Sequence, residues 1–132
     1  HDHLEEDKTH YLRIRDAVDA HPGKIFIIVT QPPLNPAATD LETAVRARAL
    51  ANWLSSDEFL DGHPNLFVFD FFDHLAEGDP EAPDFNMLRT AYREGDDSHP
   101  NELANQEIAP FFVDFVLNAI ETYRSIYTQS DG

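Results

Sequence analysis

Cysteine is absent from this chain of 132 residues. No disulfide can brace it, no thiol can act as nucleophile, and no Cys-ligated zinc can form. Lysine is nearly absent: Lys8 and Lys24 are the only two. Nine basic residues face 25 acidic ones, for a formal charge of −16. Such a surface repels phosphate backbones and anionic membranes, so no nucleic-acid partner is expected. No apolar run approaches the ~20 residues of a membrane span. No charged–apolar–small signal pattern heads the chain. Serine is scarce and late: Ser55, Ser56, Ser98, Ser125 and Ser130 are the five. No Gly-rich phosphate loop is present, which weakens a reading as a flavodoxin-like binder of an anionic ligand.

What is present points to one globular domain. The length bounds the chain to a single unit with a real core. Hydrophobic residues make up 42%, with ten Phe, four Tyr and one Trp. Residues 5–20 read as a helix, with Tyr11, Ile14 and Val18 on one face, ended by His21-Pro22-Gly23. "KIFIIVT", 24–30, is a continuous apolar β-branched run, the pattern of a strand covered on both faces in a parallel sheet. "QPPLNP" stops it, because proline cannot join the ladder. Thr39 and Glu42 have capping-box spacing and predict a second helix, with Leu41, Val45, Ala49 and Trp53 towards the core and Leu50 and Leu54 beside them. "DGHPN", 61–65, is a turn, and "LFVFDFF", 66–72, is the second strand. Residues 73–99 form a long polar segment of the length that is usually functional or mobile. The last helix covers roughly 101–127. Pro110 either kinks it or starts a second helical piece. Ile108, Phe112, Phe115, Val116, Ile120 and Tyr123 supply its core face.

The order helix–strand–helix–strand–loop–helix predicts an open α/β sheet with helices on both sides. Two strands cannot cover three amphipathic helices, and a two-stranded sheet is marginal alone. The chain therefore reads as half of a larger fold or as one that pairs with another chain.

"EGDDSHPNELANQ", 94–106, carries the chemistry. Asp96-Asp97-Ser98-His99-Pro100-Asn101 places a carboxylate and an imidazole at a loop–helix junction, with Asn101 able to cap the helix. With the element order around it, this motif resembles the C-terminal half of an SGNH (GDSL-type) hydrolase over roughly residues 8–125. That family carries Asp-x-x-His just before its last helix. The resemblance implies a three-layer α/β/α, flavodoxin-like parallel sheet, of which this chain is an incomplete half, with residues 1–132 the C-terminal portion of one domain. It implies His99 as general base and Asp96 as the carboxylate that orients it. Asp97, at i, i+2, is the competing carboxylate. It implies ester or acylated carbohydrate or lipid substrates, no metal or organic cofactor, and a secreted or periplasmic setting. The departure is plain: the family's Gly-Asp-Ser nucleophile turn and its oxyanion Gly and Asn have no counterpart here. For hydrolysis they would have to come from an N-terminal half or a partner chain. The alternative is a non-catalytic α/β module that associates with a partner or itself.

Other candidates have ordinary explanations beside them. Gln31 and Asn35, at a strand's C-terminal end, could touch a ligand, or "QPPLNP" could be a rigid connector. Asp70, Asp73 and His74 could approach a metal, or form a solvated strand end. His1-Asp2-His3 has the pattern that binds Cu(II) or Ni(II) at a free terminus. Residues 1–7 otherwise read as a disordered or processed end.

Overall fold

The structure, a computed structural model, describes residues 3–130. Helix α1 spans His3–Asp19, strand β1 Phe26–Val29, and a 3₁₀ turn Pro36–Ala38. Helices α2 (Leu41–Leu54) and α3 (Asp57–Leu60) precede β2 (Leu66–Phe69). Helix α4 (Phe71–Leu75), a 3₁₀ turn at Thr90–Tyr92 and the long α5 (Glu102–Ser130) complete the chain. Residues 3–7, expected in a disordered or processed end, are helical; His1 and Asp2 lie outside the described residues. The chain is a mixed α/β protein whose sheet, among the described residues, is a single parallel pair.

The register pairs Phe26 with Leu66 and Val29 with Phe69. Both strands are shorter than their apolar runs. β1 ends before Thr30, whose hydroxyl turns to Asp70. β2 ends at Phe69 because Asp70 Oδ1 accepts the amide of Asp73 and starts α4. Side chains alternate along the pair, as a strand requires. Phe26, Ile28, Leu66 and Val68 join Val18, Leu54 and Phe59 in one cluster. Ile27 and Phe69 join Leu75, Leu88, Tyr92, Ala104 and Ile108 in another.

Asn65 ties the first cluster to its connector. It is buried, and its amide nitrogen donates to the carbonyls of Val18, His21 and Lys24 at 3.0–3.1 Å. The end of α1 and the turn into β1 thus find partners for carbonyls that a helix terminus leaves open.

Helix α2 differs from its sequence reading in two ways. Its N-cap is Asp40, not Thr39: Asp40 Oδ1 accepts the Thr43 amide at 2.7 Å. Leu54 is buried as expected, but the rest of the buried face is Ala44 and Ala51, whereas Leu41 and Val45 are about half exposed, at 49% and 51%. The small Ala51 lets the backbone approach Phe72 and Ala76, with which it forms a cluster of its own. Close approach, not side-chain bulk, sets the rotation of this helix.

The 73–99 segment is ordered, not open loop. Ala76 and Leu88 form an antiparallel bridge, and Met87, Leu88 and Tyr92 are buried. Helix α5 runs through Pro110, so the proline starts no separate helix. It removes the amide that would otherwise bond the carbonyl one turn earlier. Ile108 and Ala119 are buried, but Phe112 is 37% exposed, and Phe111, Val113 and Leu117 lie open. Among the described residues no helix is long and apolar enough to cross a membrane.

Candidate functional site

The site loop is built by a tight reversal. Gly95 adopts φ +59°, a left-handed conformation that costs glycine little. Asp97 N–H donates to the Glu94 carbonyl at 3.2 Å, and the two residues bridge. Asp96 is left at the exposed tip of this turn and makes no hydrogen bond to His99.

Asp97 takes the orienting place instead. One oxygen, Oδ1, accepts the backbone N–H of His99 at 2.9 Å and meets His99 Nδ1 at 2.6 Å. The first bond is an Asx turn, in which an aspartate side chain bonds the backbone two residues on. Both bonds favour the carboxylate, so Asp97 lies below the usual aspartate range, the backbone bond being the larger cause. An ionised carboxylate only accepts, so Nδ1 carries the proton and a neutral His99 presents Nε2 as a free acceptor. Such a pair can take a proton from a hydroxyl and return it. The i, i+3 spacing singled out Asp96; the turn at Gly95 gives the contact with His99 to its neighbour.

The dyad stands in the open. The His99 side chain is 92% exposed and that of Asp97 54%. A general base of a closed active site works in a water-poor cleft, and the described residues provide no such cover around His99.

The loop is held from below by Asn35, which is 3% exposed. Its Nδ2 donates to the carbonyls of Gly95 at 2.9 Å and Asp97 at 3.1 Å. Its Oδ1 accepts from Ala37 N at 3.0 Å, and its own N–H donates to Ser98 Oγ at 3.1 Å. The "QPPLNP" segment is therefore the support of the site, and Asn35 itself is too buried to meet a substrate. Ser98 is engaged as an acceptor there. Asn101 caps α5, accepting from Ala104 N at 3.0 Å, and its amide donates to the Ala91 carbonyl.

The remaining candidates serve the fold. Ser55 ends α2 and Ser56 precedes α3, bonded to the Trp53 carbonyl. Asp70 caps α4, Asp73 pairs with Arg48 at 2.6 Å, and His74 stacks between Phe69 and Phe111. Among the described residues no three His, Asp or Glu side chains gather as a metal site would require. Of the His1-Asp2-His3 pattern, His1 and Asp2 lie outside the described residues.

Compared with protein-family models, with curated proteins and with solved structures, the chain finds no match. The likeness to serine hydrolases therefore stands on residues 94–101 and the order of elements.

Two residues were not singled out by sequence. Arg48 reads as one more charge on a helix, and Asn86 as one more polar residue in a polar segment. The structure brings them together at 2.9 Å, Arg48 Nε donating to Asn86 Oδ1. A separation of 38 residues leaves no local pattern to find.

Proposed function

We propose that this chain is the acid–base portion of an SGNH-like serine ester hydrolase. Its sheet would be a flavodoxin-like one between helix layers, continued by a segment that brings the nucleophilic serine and the oxyanion donors. The observation that carries the reading is the His99 Nδ1–Asp97 Oδ1 contact of 2.6 Å beside a base with a free Nε2. Support also comes from the strand pair, which is too small a sheet for the helices around it.

In that reading His99 Nε2 removes the serine proton as the serine oxygen attacks the ester carbonyl. The protonated ring then gives that proton to the departing alcohol. A water molecule enters, loses a proton to His99, and attacks the acyl-enzyme; the proton returns to serine as the acid leaves. Asp97 holds the ring and stabilises its charged form through both protonations. Esters of acylated carbohydrates or lipids are the substrate class that the resemblance implies. This chain alone, without the nucleophile, hydrolyses nothing.

The test uses the complete parent protein and p-nitrophenyl acetate. His99→Ala lowers kcat/KM by about three orders of magnitude or more, as loss of a triad base does. Asp97→Asn lowers it by roughly 10³–10⁴, the scale of a lost orienting carboxylate. Asp96→Asn leaves it within about twofold, since a solvent-exposed carboxylate without contact to the base contributes little. Unchanged turnover on His99→Ala sinks the proposal.

The exposure of His99 and of Val29, Phe111 and Leu117 favours a second reading, a non-catalytic module that associates with a partner or itself. A full-length parent that lacks esterase activity, yet sediments as a complex, would select it.

A further inference from the structure

A cavity of about 150 Å³ lies between α2, the 30–34 connector and α4. It is separate from the His99 loop, and nothing in the hydrolase reading uses it. Its floor is apolar: Pro33, Ala44, Ala51, Leu54 and Phe72 are buried. Gln31, Leu34 and Ala47 form an exposed rim that leaves an entry route.

Two buried polar side chains line it. Thr30 is already satisfied, its hydroxyl donating to Asp70 Oδ1 at 3.1 Å and accepting from Phe72 N at 2.9 Å. Asn86 is different. It is 2% exposed, and its Oδ1 is taken by Arg48 Nε at 2.9 Å. Arginine has no acceptor, so the oxygen must be the atom that faces it, and the amide –NH₂ is turned away. Neither amide hydrogen has a protein acceptor, yet the nitrogen is not sealed in. Arg15 Nε is the one side-chain nitrogen or oxygen among the described residues that is both fully enclosed and unpartnered. The Asn86 nitrogen therefore borders open space, and the space Asn86 lines is this cavity.

The carboxamide is also held in place. Arg48 is anchored to Asp73 at 2.6 Å and lies over the Phe72 ring. Asn86 keeps a left-handed backbone at φ +65°, and its own N–H bonds the Glu77 carbonyl at 2.9 Å. Asparagine tolerates that conformation better than most residues. A fixed, unpaired donor over an apolar floor is the pattern of a small-molecule site, in which few polar groups set orientation.

We propose that this cavity binds a small, uncharged, mainly apolar molecule that carries one carbonyl-type oxygen, which accepts a hydrogen bond from the Asn86 amide. The volume sets the size, since an apolar void of ~150 Å³ holds a benzene-sized body. The charge follows from desolvation: a buried ion needs a partner, and the Arg48 guanidinium is already paired with Asp73. The excess of acidic residues further disfavours anions.

The test is a titration of the chain with acetophenone, and with ethylbenzene as the match that lacks the oxygen, followed by ¹⁵N–¹H correlation spectra. Acetophenone is expected to shift the Asn86 side-chain amide signals and to bind at least about tenfold more tightly than ethylbenzene, since a site built to donate rejects the ligand without an acceptor. Asn86→Asp keeps the acceptor for Arg48 and replaces the donor by an oxygen, and it should erase the preference. Asn86→Gly suits the left-handed backbone, removes the amide, and should do the same if the aspartate variant fails to fold. No shift with acetophenone, equal binding of the two probes, or a preference that survives in the folded variant would overturn the proposal.

Discussion

Asn35→Ala is the perturbation that reaches furthest from one side chain. The substitution removes two donated bonds, to the Gly95 and Asp97 carbonyls, and one accepted from Ala37 N. A hydrogen bond contributes a net ~0.5–1.5 kcal/mol, and a buried group left unpaired costs ~1–3 kcal/mol. Three bonds at a site that is 97% buried therefore place the loss at about 3 kcal/mol. Because Gly95 and Asp97 flank the exposed turn, water can reach part of what is released, which holds the figure below the sum of the upper values. For a chain of this size, urea m-values of ~1–3 kcal/mol/M turn that loss into a midpoint lower by roughly 1–3 M. Far-UV circular dichroism in urea measures it. Asn35→Asp should do no better, because a carboxylate cannot donate to the two carbonyls and is repelled by them. Amide exchange at residues 94–99 should accelerate in the alanine variant under native conditions, since the segment has lost its support. A midpoint within about 0.3 M of the original, with exchange at 94–99 unchanged, would show that Asn35 does not carry the loop.

Phe59, fully buried against Trp53 with the Arg15 guanidinium over its ring, is expected to cost about 3–5 kcal/mol when cut to alanine, read as a fall in urea midpoint; a loss below about 1 kcal/mol would mean that the cluster refills the space. Asp40 tests the capping of α2 through pH. The Thr43 amide holds its carboxyl below the ordinary aspartate range in the folded chain. Its contribution is therefore present above the unfolded value of about 3.9 and is lost as pH falls through the lower folded value. Asp40→Asn caps without titrating, so stability of the variant relative to the native chain should rise between pH 6 and pH 3. A constant difference across that range would remove Asp40 from the account.

The strands and the outer helices were legible because their signals are local. Continuous apolar runs gave β1 and β2, and 3.6-residue spacing gave α1 and α5. The face of α2 was not, because its contact surface is made of Ala44 and Ala51, which carry little hydrophobic signal, while the bulky Leu41 and Val45 stand outside. The strand ends were misplaced for a related reason. Asp70 interrupts "LFVFDFF" as a helix cap, and a cap is decided by one bond, to Asp73 N, not by the run around it.

The site shows the same division between local and distant causes. That residues 94–101 join a loop to a helix, and that Asn101 caps that helix, follows from residue types at adjacent positions. Which aspartate meets His99 does not follow from spacing. With Gly95 left-handed and Asp97 bridged to Glu94, the chain has already turned when it reaches Asp97. The Asx turn from there to His99 brings the carboxylate under both the amide and the ring, so one oxygen serves two donors. For Asp96 to take that place the turn would have to open, releasing the Gly95 and Asp97 carbonyls from Asn35, 60 and 62 residues earlier. The choice of carboxylate is thus made by a buried asparagine that lies against the loop but far from it in sequence. Any segment that completes the site must dock without disturbing Asn35 if Asp97 is to keep its hold on His99.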